Sequence, residues 1–139
     1  MLARALGSTA LIIVLAAGSA AAQNGAPAAK EPVSRGRPLS EWIADLKAAA
    51  PVIRNGAAYE IASMGPAAAA AVPALIEALD DPLAVVRFPV TVALGEIGPP
   101  AAAAVPRLKQ MMEEELNDDV AAAARRAIRR IQPSALAGE

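Results

Sequence analysis

Between residues 39 and 133 the apolar side chains cluster at helical spacing, and the clusters recur at a fixed interval. Trp42, Ile43 and Leu46 stand at i, i+1 and i+4, the spacing of one buried helix face. Leu75, Ile76 and Leu79 repeat the triplet 33 residues later, and Leu108, Lys109 and Met112 repeat it again with one apolar position charged. At the same offset Val72-Pro73-Ala74-Leu75 returns as Val105-Pro106-Arg107-Leu108, Ile53-Arg54 as Val86-Arg87, and Met64-Gly65-Pro66 as Ile97-Gly98-Pro99. Ile97 to Ile131 spans 34 residues, which places one insertion around Glu113 to Asn117. A period of this length marks supersecondary units that bury their apolar stripes by stacking on one another. Three units follow, 39–71, 72–104 and 105–133, each predicted to hold two helices. The charged Lys109 suits a terminal unit, whose outer face meets water.

Local signals place the helix ends. Ser40 is the expected cap of the first helix. The second helices are expected to start at Pro51, at Pro82 after Asp80-Asp81, and near Val120 after Asn117-Asp118-Asp119. Gly65 and Gly98 can close helices in the left-handed conformation, and Pro66 and Pro99 prevent continuation; the third unit has the weaker stop Gln132-Pro133. Pro73 and Pro106, at one repeat position, are expected to kink helix interiors, and Pro89 to cause a local bend. The predicted core is Leu46, Ile61, Leu75, Leu79, Leu94, Ile97, Leu108, Ile128 and Ile131. Alanine, 38 of 139 residues, offers little area to bury but lets helix axes approach toward the short end of the usual separation of roughly 8–10 Å.

Residues 1–22 read differently. Arg4 precedes the apolar run Ala10 to Ala17, and Ala20-Ala21-Ala22 offers small residues to a signal peptidase. The strongly apolar part is shorter than the ~20 residues that span a bilayer, so the segment is expected to be a signal peptide cleaved after Ala22, with membrane attachment only if it stays uncleaved. Periplasmic or secreted localisation follows from that expectation. Residues 23–36, rich in Pro, Gly and Ala, are expected to form a flexible leader, and 134–139 a C-terminal tail.

Composition narrows the chemistry. The chain has no histidine and no cysteine, which removes the commonest proton shuttle, thiol nucleophiles and the usual zinc ligands. Its 13 basic and 14 acidic side chains, with one Trp, one Tyr and one Phe, give no footprint for nucleic acid. Glu113-Glu114-Glu115 and Asp80-Asp81 are the carboxylate clusters, but consecutive helical side chains point apart and make no catalytic dyad. No phosphate loop or nucleophile elbow occurs. We expect no catalytic residue, metal or cofactor.

The units, with Asp81-Pro82, Val86-Arg87, Ala93-Leu94-Gly95-Glu96-Ile97-Gly98-Pro99, an alanine run and Val105-Pro106-Arg107-Leu108, resemble the short bacterial HEAT-like repeats, also called phycobilisome-lyase-type HEAT repeats. The match covers about residues 37 to 133. The first unit lacks the Asp-Pro, and the third lacks both the arginine after Val120 and a glycine before Pro133. The resemblance implies an all-α solenoid that binds proteins on a concave face lined by the second helices. It also implies that Arg54 and Arg87 pair with acids of the adjacent unit, here Asp80 or Asp81, as a ladder between repeats.

Tyr59, on the second helix of the first unit, is the single preferred contact residue. Arg125, Arg126, Arg129 and Arg130 admit two readings. They could grip a phosphate, an acidic peptide or anionic lipid; the preferred reading makes them cations favoured by a helix dipole, with Asp118 and Asp119 at the opposite end. Trp42 is expected in the core or as an N-terminal cover. The resulting expectation is an exported, non-enzymatic scaffold that binds another protein. The alternatives are an accessory subunit of a larger enzyme complex or a lyase-like ligand-binding protein.

Overall fold

The structure, a computed structural model, describes residues 30–138, so the expected signal peptide and the first half of the expected leader, 23–29, lie outside the described residues. Six helices follow one another: α1 (Leu39–Asp45), α2 (Pro51–Met64), α3 (Val72–Ala78), α4 (Ala84–Ile97), α5 (Val105–Glu114) and α6 (Asp118–Ile131). They pair as α1 with α2, α3 with α4 and α5 with α6, and the second helices α2, α4 and α6 pack side by side as the spine. This is an all-α solenoid of three helical hairpins. Every residue of the predicted core is at most 4% exposed.

Alanine works through the links between units as well as between helices. After Gly65 and Gly98 the chain forms 3₁₀ turns, Gly65–Ala71 and Pro99–Ala104, rather than passing straight into the next helix. Ala68 and Ala71, and Ala101 and Ala104, are fully buried at a spacing of three, the period of a 3₁₀ turn. The first turn packs on α4 and the second on α6, so each link presses its alanines against the following unit. Gly65 and Gly98 have φ of 56° and 78°, as their closing role requires, but ψ of −139° and −144° puts them in a mirror-extended rather than a left-handed helical conformation.

Several local expectations are corrected. Helix α1 begins at Leu39, so Ser40 lies inside it and does not cap it. Its free N–H groups are met from the preceding chain: Leu39 donates to the Pro32 carbonyl (2.9 Å) and Ser40 to the Glu31 carboxylate. Pro82 precedes α4, whose extended N-cap is Leu83, because Asp81 Oδ1 accepts from the Leu83 N–H at 3.0 Å and holds a turn there. Asn117 caps α6 by accepting from the Val120 N–H at 3.1 Å. Pro73 and Pro106 are not interior kinks. They occupy the first turns of α3 and α5, where a missing N–H costs nothing.

Pro89 is the true interior proline, buried within α4. Its ring removes the hydrogen bond that the Val85 carbonyl would accept four residues earlier. Asn55 of α2 replaces that donor, its Nδ2 lying 2.6 Å from the Val85 oxygen. The freed carbonyl thus becomes a bond between units. The equivalent position in the first unit is Gly56, where an added Cβ would meet nothing within 4 Å. Gly56→Ala should therefore stabilise the protein, by up to about 1 kcal/mol of helix propensity, read as a raised urea midpoint.

The expected leader also differs. Val33–Ser34 pairs antiparallel with Arg37–Pro38, closed by Arg35 (φ 50°) and Gly36 (φ 75°). Two positive φ values in a two-residue loop suit a tight hairpin turn. The hairpin packs against the first unit: Trp42 donates Nε1–H to the Ser34 carbonyl (3.2 Å), the Arg37 guanidinium lies 4.0 Å from the Trp42 ring centre, and Arg35 pairs with Glu60 at 2.6 Å. Trp42 is partly buried beneath this cover. At the other end Pro133–Leu136 turns back on α6, with Ala135 and Leu136 against the core.

Candidate functional site

Two surfaces run the length of the array, one ionic along the loops and one mixed along the spine. On the loop edge, Arg54 donates from Nε (2.6 Å) and Nη2 (3.3 Å) to the Asp81 carboxylate of the next unit, and from Nη1 to the carbonyls of Ala48 and Ala49 in its own. Arg87 does the same one unit on, reaching Glu115 at 2.7 and 2.8 Å and the Asp81 carbonyl at 2.8 Å. Asp81 is the shared rung, held by Arg54 through its side chain and by Arg87 through its backbone. Asp80 instead meets Arg107 at 2.8 Å. Glu115 had no role in the sequence reading, yet the 34-residue offset of the third unit places it where Asp81 stands in the second.

These pairs are structural by geometry. The acids are nearly buried, with side-chain exposures of 7% and 8%, and each guanidinium also satisfies backbone carbonyls. Burial alone would raise the Asp81 pKa, but hydrogen bonds from Arg54 and the Leu83 N–H, with the charges of Arg54 and Arg87, hold it below the ordinary carboxylate value. The Arg87 hydrogen bonds hold Glu115 low against its burial, and Glu115 in turn raises Arg87. A carboxyl that binds its proton less readily when folded adds stability above its unfolded pKa, lost as pH falls through the lowered folded value. Thermal stability should therefore decline below about pH 4, where unfolded carboxylates protonate. With no histidine to titrate, it should stay nearly flat from about pH 5.5 to 8.5. Melting followed by circular dichroism across pH checks both limbs.

The other surface belongs to the spine. Repeat-equivalent residues line up on α2, α4 and α6: Val52, Val85 and Asp119; Asn55, Phe88 and Ala122; Tyr59, Val92 and Arg126; Ser63, Glu96 and Arg130. A groove on this face is lined by Asn55, Tyr59, Val85, Phe88, Asp119 and Arg126, among others. Val52, Val85 and Tyr59 are 75%, 59% and 48% exposed, high values for side chains of this size. The exposed positions of the first helices, by contrast, are mostly polar, with Ser40, Glu41, Glu77, Gln110, Glu113 and Glu114 beside the smaller Ala44, Pro73 and Pro106. The spine thus exposes large apolar side chains on α2 and α4 and charged ones on α6, whereas the first helices expose mostly polar residues.

The four arginines of α6 separate into distinct settings. Arg130 pairs with Glu96 at 2.9 Å and donates to the Gly95 carbonyl at 3.2 Å, tying α6 to α4. Arg126 lines the groove with Tyr59. Arg125 and Arg129 are exposed at the positions equivalent to Thr91 and Gly95, which are buried in the second unit. Gly95 faces α6 so closely that a Cβ there would lie 3.1 Å from Ala127 Cα. In the last unit the same two positions carry long charged side chains, so the terminal face is polar where the inner units present small residues. Among the described residues no three acidic side chains come together as a metal cluster.

A family model for HEAT repeats matches residues 39–129. No curated protein and no solved structure matches the chain.

Proposed function

This chain belongs to the HEAT-repeat family, and from that membership we propose that it is an exported, non-enzymatic scaffold that binds another protein through the face formed by α2, α4 and α6. HEAT repeats commonly mediate protein–protein interaction. The observation that carries the choice of face is the exposure of the large apolar Val52, Tyr59 and Val85 on the spine, against mostly polar residues and no large apolar one on the exposed side of the first helices. Apolar side chains held in water by rigid, stacked helices lose little entropy when a partner covers them. Tyr59 and Phe88 are the aromatic residues available to the groove, which limits how many strong anchors the face can offer.

Export is supported by the sequence of residues 1–22, with its apolar run and small residues before Gln23. Amino-terminal sequencing of the protein from the cell envelope should begin at Gln23; a cytoplasmic protein that keeps Met1 would contradict export. Crosslinking in the native envelope, followed by mass spectrometry, should recover one predominant protein joined through residues of α2, α4 or α6. Crosslinks confined to α1, α3 and α5 would contradict the assigned face.

A further inference from the structure

We infer that the partner meets the α2, α4 and α6 face with an acidic, apolar peptide segment, an apolar side chain entering the groove beside Tyr59 and carboxylates meeting Arg126 at the groove and Arg129 next to it on the terminal surface. This rests on the reading of that face as the docking surface and adds the chemistry of what docks there. Charge pairing across the molecule is the main argument. Every described arginine outside α6, and Arg130 within it, holds a carboxylate at 2.6 to 2.9 Å. Arg125, Arg126 and Arg129 hold none, and they lie within five residues of one another on one helix. The chain as a whole carries a net charge of −1, so a general excess of cations does not account for this concentration.

The helix dipole accounts for it only in part. Its attraction falls off within the last turn, where Arg129 and Arg130 stand, whereas Arg125 and Arg126 stand a turn earlier. Arg129 follows Arg126 by three residues and neighbours it on the helix surface. Arg126 also borders the groove, a space of about 570 Å³, within the range of roughly 300–1,000 Å³ typical of sites that seat compact ligands. Unpaired cations beside a recess that holds Tyr59, Val85 and Phe88 fit a segment that carries an aromatic or aliphatic residue next to Asp or Glu. An anionic bilayer fits less well, because a flat surface cannot enter a recess, whereas a short segment can turn its carboxylates toward Arg126 and away from Asp119 of the same lining.

A random peptide library displayed on phage and panned against the folded protein tests this. The expected peptides join Asp or Glu to an aromatic or aliphatic residue, bind more weakly in high salt, and lose about tenfold or more in affinity to Arg126→Ala with Arg129→Ala and to Tyr59→Ala. Arg126→Glu with Arg129→Glu should select Lys or Arg in place of the acids, a reversal that misfolding cannot mimic. Peptides that need Tyr59 but carry no acid, or tolerate loss of both arginines, would overturn the inference and leave the docking face standing. Failure to select any peptide, or selection of peptides indifferent to Tyr59 and to the arginines, would overturn both. Binding to vesicles containing anionic lipid that needs the arginines but not Tyr59 would also overturn the peptide assignment.

Discussion

Arg87→Ala should destabilise the protein by about 2–4 kcal/mol, read as a lower urea midpoint with an unchanged slope. The substitution removes two hydrogen bonds to Glu115 and one to the Asp81 carbonyl, and it leaves the Glu115 carboxylate nearly buried with no countercharge. The figure stands below that for a fully enclosed ion pair, since the guanidinium retains 18% exposure and water softens the loss. The partner's fate decides the size of the effect. Arg87→Met combined with Glu115→Leu removes both charges and supplies apolar volume, so the double variant should recover most of the stability that Arg87→Ala loses. It should also lose less stability than the wild type on acidification below about pH 4, because one of the two lowered carboxyls is gone.

Gly95→Val is expected to cost about 1–3 kcal/mol by forcing α4 and α6 apart. The Cβ alone would approach Ala127 Cα at 3.1 Å and Ala127 Cβ at 3.3 Å, and the first of these is backbone that cannot rotate away. Valine adds two methyl groups in the same confined space. Gly95→Ala separates the opposing contributions, since its gain in helix propensity, about 1 kcal/mol, works against a contact a few tenths of an ångström too short. Its net effect should therefore be smaller than that of valine. Because α4 and α6 form part of the proposed docking face, Gly95→Val should also weaken partner binding without touching the partner.

The repeat made most of the fold legible. A fixed offset relates residues that do the same physical work, so Leu75 and Leu108, or Gly65 and Gly98, could be placed from spacing alone. The amino-terminal hairpin escaped because its strands are two residues each and Arg35-Gly36 is not a strong turn signal. It becomes ordered through contacts that sequence spacing does not reveal, namely Arg35 with Glu60 and Trp42 with the Ser34 carbonyl. Pro73 and Pro106 misled for a related reason. The alanine runs before them read as continuing helix, whereas buried alanines at every third position turn the chain through 3₁₀ geometry and place each proline in a first turn. Pro89 became intelligible only once Asn55 was seen to take the freed carbonyl.

The face was partly legible. Tyr59 could be placed on a second helix, but its neighbours Val85, Phe88 and Arg126 come from two other units, and their convergence depends on how those units stack. The α6 arginines looked alike in sequence. Stacking gives Arg130 a carboxylate across the interface, brings Arg126 to the groove, and leaves Arg125 and Arg129 on the exposed terminal surface.

If the spine face binds a protein partner, charge placed on that face must weaken the complex and charge placed elsewhere must not. The most direct measurement is the affinity of the crosslinked partner for two charge variants, Val52→Asp with Val85→Asp on the spine and Glu77→Lys with Gln110→Lys on the first helices. All four positions are exposed, so both variants should fold. The spine variant should lose about 2 kcal/mol or more of binding free energy, roughly thirtyfold in affinity, while the other should bind as the wild type does. A spine variant that binds normally, with the loss confined to the first-helix variant, would contradict docking on the spine face.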